Sequence, residues 1–299
     1  MDIQNKAAVI GGLNADIWGR PSSPIILRDS NPGSVTLTPG GVGRNIAHDL
    51  CLLGLDVSLV SAVGDDSNGE FLLDRCRGLG MDVSRVRVVP GARSSSYLYI
   101  TDERGDMQLA VNDMAVCNEI SPEYLERVLP GIQAGALVLD TNLPVESLEF
   151  ICRSSCIPLY ADPVSSVKAM KLRSVMKHLR AIKPNALEAA ALTGQTDPEL
   201  AARALIDAGV QRVFISLGTN GMIAAEGSRI LRMPSPEANV VNATGAGDAA
   251  MSAIVWADLH GLSLEDSARA AQLAGAITCA SEESNAPELS RLPGLLAAE

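Results

Sequence analysis

The sequence predicts an α/β protein with a mainly parallel central sheet, helices on both of its faces, and a small additional β-sheet. Three observations predict this. Short apolar runs rich in β-branched residues alternate with longer stretches of helical periodicity, the pattern of a sheet buried on both sides. Two early segments, 16–41 and 94–112, break that rhythm with half-buried, every-other-residue alternation. The last third of the chain closes on two long Ala-rich helical patterns.

In order, the runs 7–11, 57–62, 136–140, 159–162, 181–183 and 212–217 read as buried strands. Helical patterns fall at 46–53, 69–78, 123–128 and 188–192, with Gly54 and Gly80 where helix C-caps are expected. Within 94–112, Tyr97-Leu98-Tyr99-Ile100 and Met107-Gln108-Leu109 alternate, and Asp102-Glu103-Arg104-Gly105-Asp106 supplies the turn between them. With 16–41, this hairpin reads as a small sheet serving as a lid or a dimer surface. Helices at 246–260 and 264–280 end the pattern, and Ser263 with Asp266 resembles a capping box. No internal repeat, linker or low-complexity tract interrupts 1–299, so one domain carrying a lid from about 16–41 and 94–112 is expected.

Composition excludes several function classes. A net charge of −11 offers no basic footprint for nucleic acid or anionic lipid. The N-terminus carries no basic segment followed by a long apolar stretch, and no apolar run is long enough for a membrane span. A cytoplasmic protein is expected. Cys51, Cys76, Cys117, Cys152, Cys156 and Cys279 form no Cys-x-x-Cys pair. Cys152 and Cys156 share an expected helix face, but with three histidines in the chain a zinc cage is not expected, and the thiols read as reduced. His48, His178 and His260 read as helix-surface or helix-end residues.

The segment Val240-Val241-Asn242-Ala243-Thr244-Gly245-Ala246-Gly247-Asp248 carries the chemistry. Small residues opening a helix let an anion approach free backbone amides closely. A carboxylate in that first turn is favoured by the helix dipole, so Asp248 is expected to stay ionised near pH 7. Beside an anion hole it can take a hydroxyl proton while the amides hold a transferring phosphoryl group. Two other readings fit the same residues. One is an ordinary Gly-rich helix start with an N-terminal acid. The other is a dinucleotide fingerprint, Gly245-x-Gly247-x-x-Ala250, although its acidic partner Glu265 falls in a helix and not at a strand end. No Gly-x-Ser-x-Gly elbow or Walker Gly-Lys-Ser/Thr element is present.

Asn242-Ala243-Thr244-Gly245-Ala246-Gly247-Asp248 resembles the C-terminal signature of the ribokinase-like (PfkB) carbohydrate kinases. Their N-terminal signature is matched by Gly40-Gly41-Val42-Gly43-Arg44-Asn45-Ile46-Ala47 with Leu50 and Leu53-Gly54. Between them lie Lys183-Pro184-Asn185-x-x-Glu188 and Ser216-Leu217-Gly218-Thr219-Asn220-Gly221, in the family's order. Within the family, Asp29-Ser30-Asn31-Pro32-Gly33, Arg44 beside Asn45, Val111-Asn112-Asp113-Met114 and Asp162-Pro163-Val164-Ser165 are similar to the pseudouridine kinases in particular.

The resemblance implies a ribokinase-like three-layer sandwich with a small β-sheet lid, transferring the ATP γ-phosphoryl to the 5′-hydroxyl of pseudouridine. Another ribose-bearing nucleoside or ribose is the alternative within that class, and a non-catalytic nucleoside sensor the alternative outside it. By the resemblance Gly245, Ala246 and Gly247 form the anion hole and Asp248 deprotonates the acceptor. Asn14, Asp16, Gly41 and Asn45 hold the ribose, and Asn112 and Lys168 face the base. Taken alone, Asp16 would be a turn residue and Asn45 the N-cap of a helix starting at Ile46. Asn185, Glu188, Ser216, Gly218, Thr219 and Asn285 line the nucleotide side, with Glu188 reaching Mg2+ indirectly and Asn285 near the adenine. A homodimer joined through the lids is implied, and the lid's apolar face is expected to close over the nucleoside. Asn242 stands where the family commonly has Asp, beside a monovalent cation site, which puts potassium in doubt.

Overall fold

A computed structural model describes residues 3–297. Thirteen strands are formed among them: β1 (Lys6–Ile10), β2 (Asn14–Pro21), β3 (Gly33–Gly40), β4 (Asp56–Gly64), β5 (Asp82–Val89), β6 (Ser96–Thr101), β7 (Met107–Asp113), β8 (Ala136–Asp140), β9 (Leu159–Asp162), β10 (Leu179–Ile182), β11 (Arg212–Ser216), β12 (Met222–Glu226) and β13 (Arg229–Met233). The main sheet has nine strands in the order β13-β12-β11-β10-β9-β8-β1-β4-β5. From β11 to β5 all neighbours are parallel, and β12 and β13 add an antiparallel hairpin at one edge. Neither β5 nor this hairpin is among the strands expected from sequence. Arg85 and Arg87 in β5, and Arg229 and Arg232 in β13, mask the apolar alternation of sheet-edge strands.

Ten helices complete the described chain: α1 (Val42–Leu52), α2 (Ser67–Gly78), α3 (Pro122–Val128), α4 (Val145–Ser154), α5 (Ser166–Ala169), α6 (Ala186–Thr193), α7 (Pro198–Asp207), α8 (Ala246–Leu259), α9 (Leu264–Cys279) and α10 (Leu292–Ala297). Two apolar cores lie on opposite faces of the sheet, making three layers. One packs Ile46, Leu50, Leu72, Ile254 and Ala271 of α1, α2, α8 and α9. The other packs Leu125, Leu148, Leu192 and Leu205 of α3, α4, α6 and α7. Few aromatics are available, so Ala-rich α8 and α9 approach each other and the sheet closely; Ala249, Ala253, Ala257 and Ala274 are buried.

Local signals place the ends. Gly54 and Gly80, with φ of 85° and 82°, follow the last residues of α1 and α2 in the left-handed conformation expected of C-caps. Ser263 Oγ accepts the Asp266 amide at the start of α9. Helix α1 begins earlier than periodicity indicates: Gly41 is its N-cap at φ 101°, so Asn45 lies inside the first turn and does not cap it. Cys156 lies beyond the end of α4 and shares no helix face with Cys152.

The second sheet runs β3-β2-β6-β7 and contains both segments that break the rhythm. Its register decides which face does what. Leu37, Ile17, Leu98 and Val111 stand in one row across the four strands, with Val35, Ile100 and Leu109 on the same face. Thr38, Asp16, Tyr97 and Asn112 form the next row, on the opposite face with Trp18 and Tyr99. Since Asp16 lies over the start of α1, the face toward the sheet ends is polar and aromatic. The apolar face points away, with Val35 77% and Leu109 58% exposed. The expectation that the apolar face covers the nucleoside is therefore corrected.

Candidate active site

Parallel strands bring their carboxyl ends to one edge, where ligands of open α/β sheets bind. Gly11 and Gly12 follow β1, Asp140 ends β8, Asp162 ends β9, Lys183 follows β10 and Ser216 ends β11. Facing them are the N-termini of α1 and α8.

At α8 the N-cap is Gly245, with φ 84°. A Cβ there would lie 1.9 Å from the Ser284 carbonyl oxygen, so both conformation and space demand glycine. The amides of the first turn have no partners within the helix, although that of Ala246 makes a long bond, 3.4 Å, to the Ala243 carbonyl just before it. A Cβ at Gly247 would sit 3.4 Å from Lys183 Nζ, which places that ammonium against the same turn. Lys183 is buried and pairs with Asp162 at 3.2 Å.

Asp248 is almost fully buried. Its Oδ2 accepts Asn45 Nδ2 at 2.8 Å, and its Oδ1 has no hydrogen-bond partner among the described residues. Burial pushes its carboxyl up to about 7, Asp162 pushes the same way, and the Asn45 amide and Lys183 oppose them. Burial thus works against the ionised form that a carboxylate at a helix N-terminus would otherwise favour.

Glycines at 11, 12 and 43 let α1 press backbone against β1; a Cβ on Gly43 would come within 2.9 Å of Gly11 Cα. Asp140 joins them, its Oδ2 accepting the amides of Gly12 at 2.7 Å and Gly43 at 2.8 Å. Burial raises the Asp140 carboxyl, and these bonds offset part of that rise. Next to them, Asn14 donates to Asp16 Oδ1. Burial pushes Asp16 up to about 6 against the pull of Asn14 and Arg44. Gly41, whose added Cβ would meet Gly12 O at 2.5 Å, lies between Asn14 and Asn45.

Asn185 and Glu188 cap α6 reciprocally: Asn185 N donates to Glu188 Oε2 at 2.8 Å and Glu188 N to Asn185 Oδ1 at 2.9 Å. Burial raises the Glu188 carboxyl. Among the described residues no group of three His, Cys, Asp or Glu is arranged to hold a metal ion. Ser216 N bonds Pro184 O at 3.0 Å, so Ser216, Gly218 and Thr219 lie beside the Asn185 cap. Lys168 reaches inward too, donating Nζ to Asn142 Oδ1 at 2.6 Å.

Asn285 is placed differently from its expected position at the adenine. Its side chain is buried and points to α1, with Oδ1 accepting Arg44 Nη1 at 2.7 Å and Nδ2 donating to Asn45 O at 3.0 Å and Asp49 Oδ1 at 2.8 Å. His48, expected on a helix surface, is half-buried beside Arg44, and burial lowers its imidazole to about 4. Asn242 donates Nδ2 to Glu282 O at 3.1 Å and accepts Thr244 N at 2.9 Å, so an amide N–H already faces a loop carbonyl there. Asp140 has no role in the sequence reading, and Asp162 and Lys183 enter it only within motifs, Asp162 in a segment expected near the base. Their signal was position, each at or just past the end of an apolar strand run.

The family model described as pfkB family carbohydrate kinase matches residues 4–291. The chain is 38% identical over 295 residues to the pseudouridine kinase of Escherichia coli, covering 96% of this chain and 94% of that one. It is 27% identical over 314 residues to the guanosine-inosine kinase of Exiguobacterium acetylicum, covering 95% and 98%. The crystal structure of ribokinase from Thermotoga maritima superposes with a TM-score of 0.87 at 20% identity, covering 98% of this chain and 99% of that one.

Proposed function

The chain belongs to the pfkB family of carbohydrate kinases, and from that premise we propose that it transfers the γ-phosphoryl of ATP to the 5′-hydroxyl of pseudouridine. The enzyme is a phosphotransferase with an alcohol acceptor, and the fold is ribokinase-like. One observation carries the mechanistic reading: a buried carboxylate, Asp248, follows a glycine-capped helix start and keeps one oxygen unbonded.

In this reading Asn14 and Asp16 hold the ribose diol, and Gly41 and Asn45 close the other side. Asp248 Oδ1 accepts the proton of the acceptor hydroxyl as its oxygen bonds to the γ-phosphorus and the bond from that phosphorus to the β,γ-bridging oxygen breaks, releasing ADP. The amides of Gly245, Ala246 and Gly247 receive the charge that develops on the transferring group. Lys183 offsets the charges of Asp162 and Asp248 beneath it. Asn185 and Glu188, which cap α6, would hold a magnesium ion that arrives with ATP, and the ion would supply positive charge against the phosphates. Ser216, Gly218 and Thr219 line the nucleotide.

The polar face of the second sheet covers the nucleoside. Tyr97 and Tyr99 stack with ring centroids 5.4 Å apart, giving a flat surface for a base, and Asn112 lies in the Asp16 row. In this reading Asn112 and Lys168 contact the base edge, supported by the place of Asn112 in the Asp16 row. The apolar face of that sheet is covered by a second copy of the chain, a homodimer through the lids. All six cysteines are free, which suits a reducing compartment such as the cytoplasm. Among the described residues no helix is long and apolar enough to cross a membrane.

Similarity to a guanosine-inosine kinase supports a second reading, a kinase acting on other ribonucleosides. A coupled assay of ATP consumption over pseudouridine, uridine, guanosine, inosine and ribose decides between them. Preference for pseudouridine supports the first reading, and preference for a purine nucleoside supports the second.

A further inference from the structure

Arg44 is 5% exposed, in the first turn of α1, and forms no ion pair among the described residues. One arm of its guanidinium is committed to amide side chains: Nη1 donates to Asn45 Oδ1 at 3.0 Å and to Asn285 Oδ1 at 2.7 Å, while Nη2 meets His48 Nδ1 at 3.4 Å and the buried Nε has no hydrogen-bond partner among the described residues. A guanidinium has donors and no acceptor, so the atoms it meets must be the amide oxygens. This fixes both amides. Asn45 can then present only Nδ2 to Asp248, and does so at 2.8 Å. Asn285 can present only Nδ2 to the Asn45 carbonyl and to Asp49, both of them acceptors. Rotated by half a turn, Asn45 would set an amide oxygen against the Asp248 carboxylate and disfavour its ionised form.

We propose that Arg44 and Asn285 are positioning residues for the base, acting through Asn45 to hold Asp248 Oδ2 and leave Oδ1 directed at the acceptor. Asn285 also ties the base to the anion hole. Its neighbour Ser284 packs its carbonyl against Gly245, where a Cβ would approach to 1.9 Å. One loop, 281–286, thus braces the helix start that receives phosphoryl charge and, 240 residues away in sequence, the amide that orients the base. The role proposed for Arg44 and Asn285 is to act on geometry, through their bonds to Asn45.

The proposal rests on the reading of Asp248 as the base. It is tested with Arg44→Met and Asn285→Ala, each alone and combined with Asn45→Ala, by steady-state kinetics with pseudouridine and ATP. Each single variant should lower kcat about ten- to a hundredfold, the scale of a misplaced catalytic group. KM for ATP should stay within about twofold. In the Asn45→Ala background neither change should cost more than about twofold further, because the path through Asn45 is already cut. Arg44→Lys should regain part of the loss, since one ammonium can still reach an amide oxygen. Losses that add fully to that of Asn45→Ala, or wild-type kcat in Asn285→Ala, would overturn it. Should Arg44→Met not fold, Asn285→Ala alone carries the same cycle. Wild-type turnover in Asp248→Asn would instead remove the underlying base assignment, a separate result.

Discussion

Asn45 in the first turn of α1 donates its amide to Asp248 in the first turn of α8, 2.8 Å away and 203 residues later in sequence. Two helix starts are thereby locked face to face over the carboxyl ends of β1, β8, β9 and β10. The carboxylate is stabilised by this one donor and by Lys183, while burial and Asp162 oppose ionisation. The balance leaves it titrating near neutrality, where a base combines availability with proton affinity.

The pH profile follows from that balance. A base works only when ionised, and Asp248 titrates at about 7, so kcat/KM should fall roughly tenfold per pH unit below that value. Stability should move oppositely. The folded-state carboxyl lies above its ordinary value of 3.8, so the folded protein binds more protons between about 4 and 7. Stability is therefore lost as pH rises through that window, and Asp248→Asn should remove this component. Urea unfolding of both proteins at pH 5 and pH 8 checks it; an equal pH response in the two would contradict the assignment.

The lid makes two separable predictions because its faces differ. Leu98→Asp and Leu109→Lys place charges on the apolar face away from the site, and should yield monomers in sedimentation. Amide exchange in 94–112 should slow when pseudouridine is added, as the Tyr97 and Asn112 face settles on it. Dimers that persist in both variants would remove the lid interface, and unchanged exchange with binding confirmed would remove the closing lid.

Substrate preference is decided at the base edge. Pseudouridine offers a ring N–H that uridine lacks, and a site built to accept it leaves an acceptor unpaired with uridine, about 1–3 kcal/mol. We expect kcat/KM to favour pseudouridine by roughly ten- to a hundredfold. Asn112→Ala should shrink that ratio more than it harms phosphorylation of ribose. Equal efficiency on the two nucleosides would contradict the pseudouridine reading and leave the kinase standing.

What was legible in the sequence is what short-range chemistry dictates. Gly245 to Asp248 announce a helix start open to an anion, and the alternation around Tyr97 and Leu109 announces a hairpin. Which face of the second sheet turns toward the strand ends is not legible in the sequence. It depends on β2 pairing in parallel with β6, a long-range register no local pattern encodes. The direction of Asn285 is hidden for the same reason: its partners Arg44, Asn45 and Asp49 lie more than 230 residues earlier in the chain. Asp140, which gathers the amides of Gly12 and Gly43, reads in sequence only as the polar end of a strand.

The most direct test of the account is the turnover of Asp248→Asn with pseudouridine and ATP. The amide keeps the shape of the carboxylate and cannot take a proton. We predict that kcat falls by roughly 10²–10⁴-fold while KM for the nucleoside changes little, since the proposal gives the ribose to Asn14 and Asp16. Turnover at the wild-type rate would contradict the assignment of Asp248 as the base.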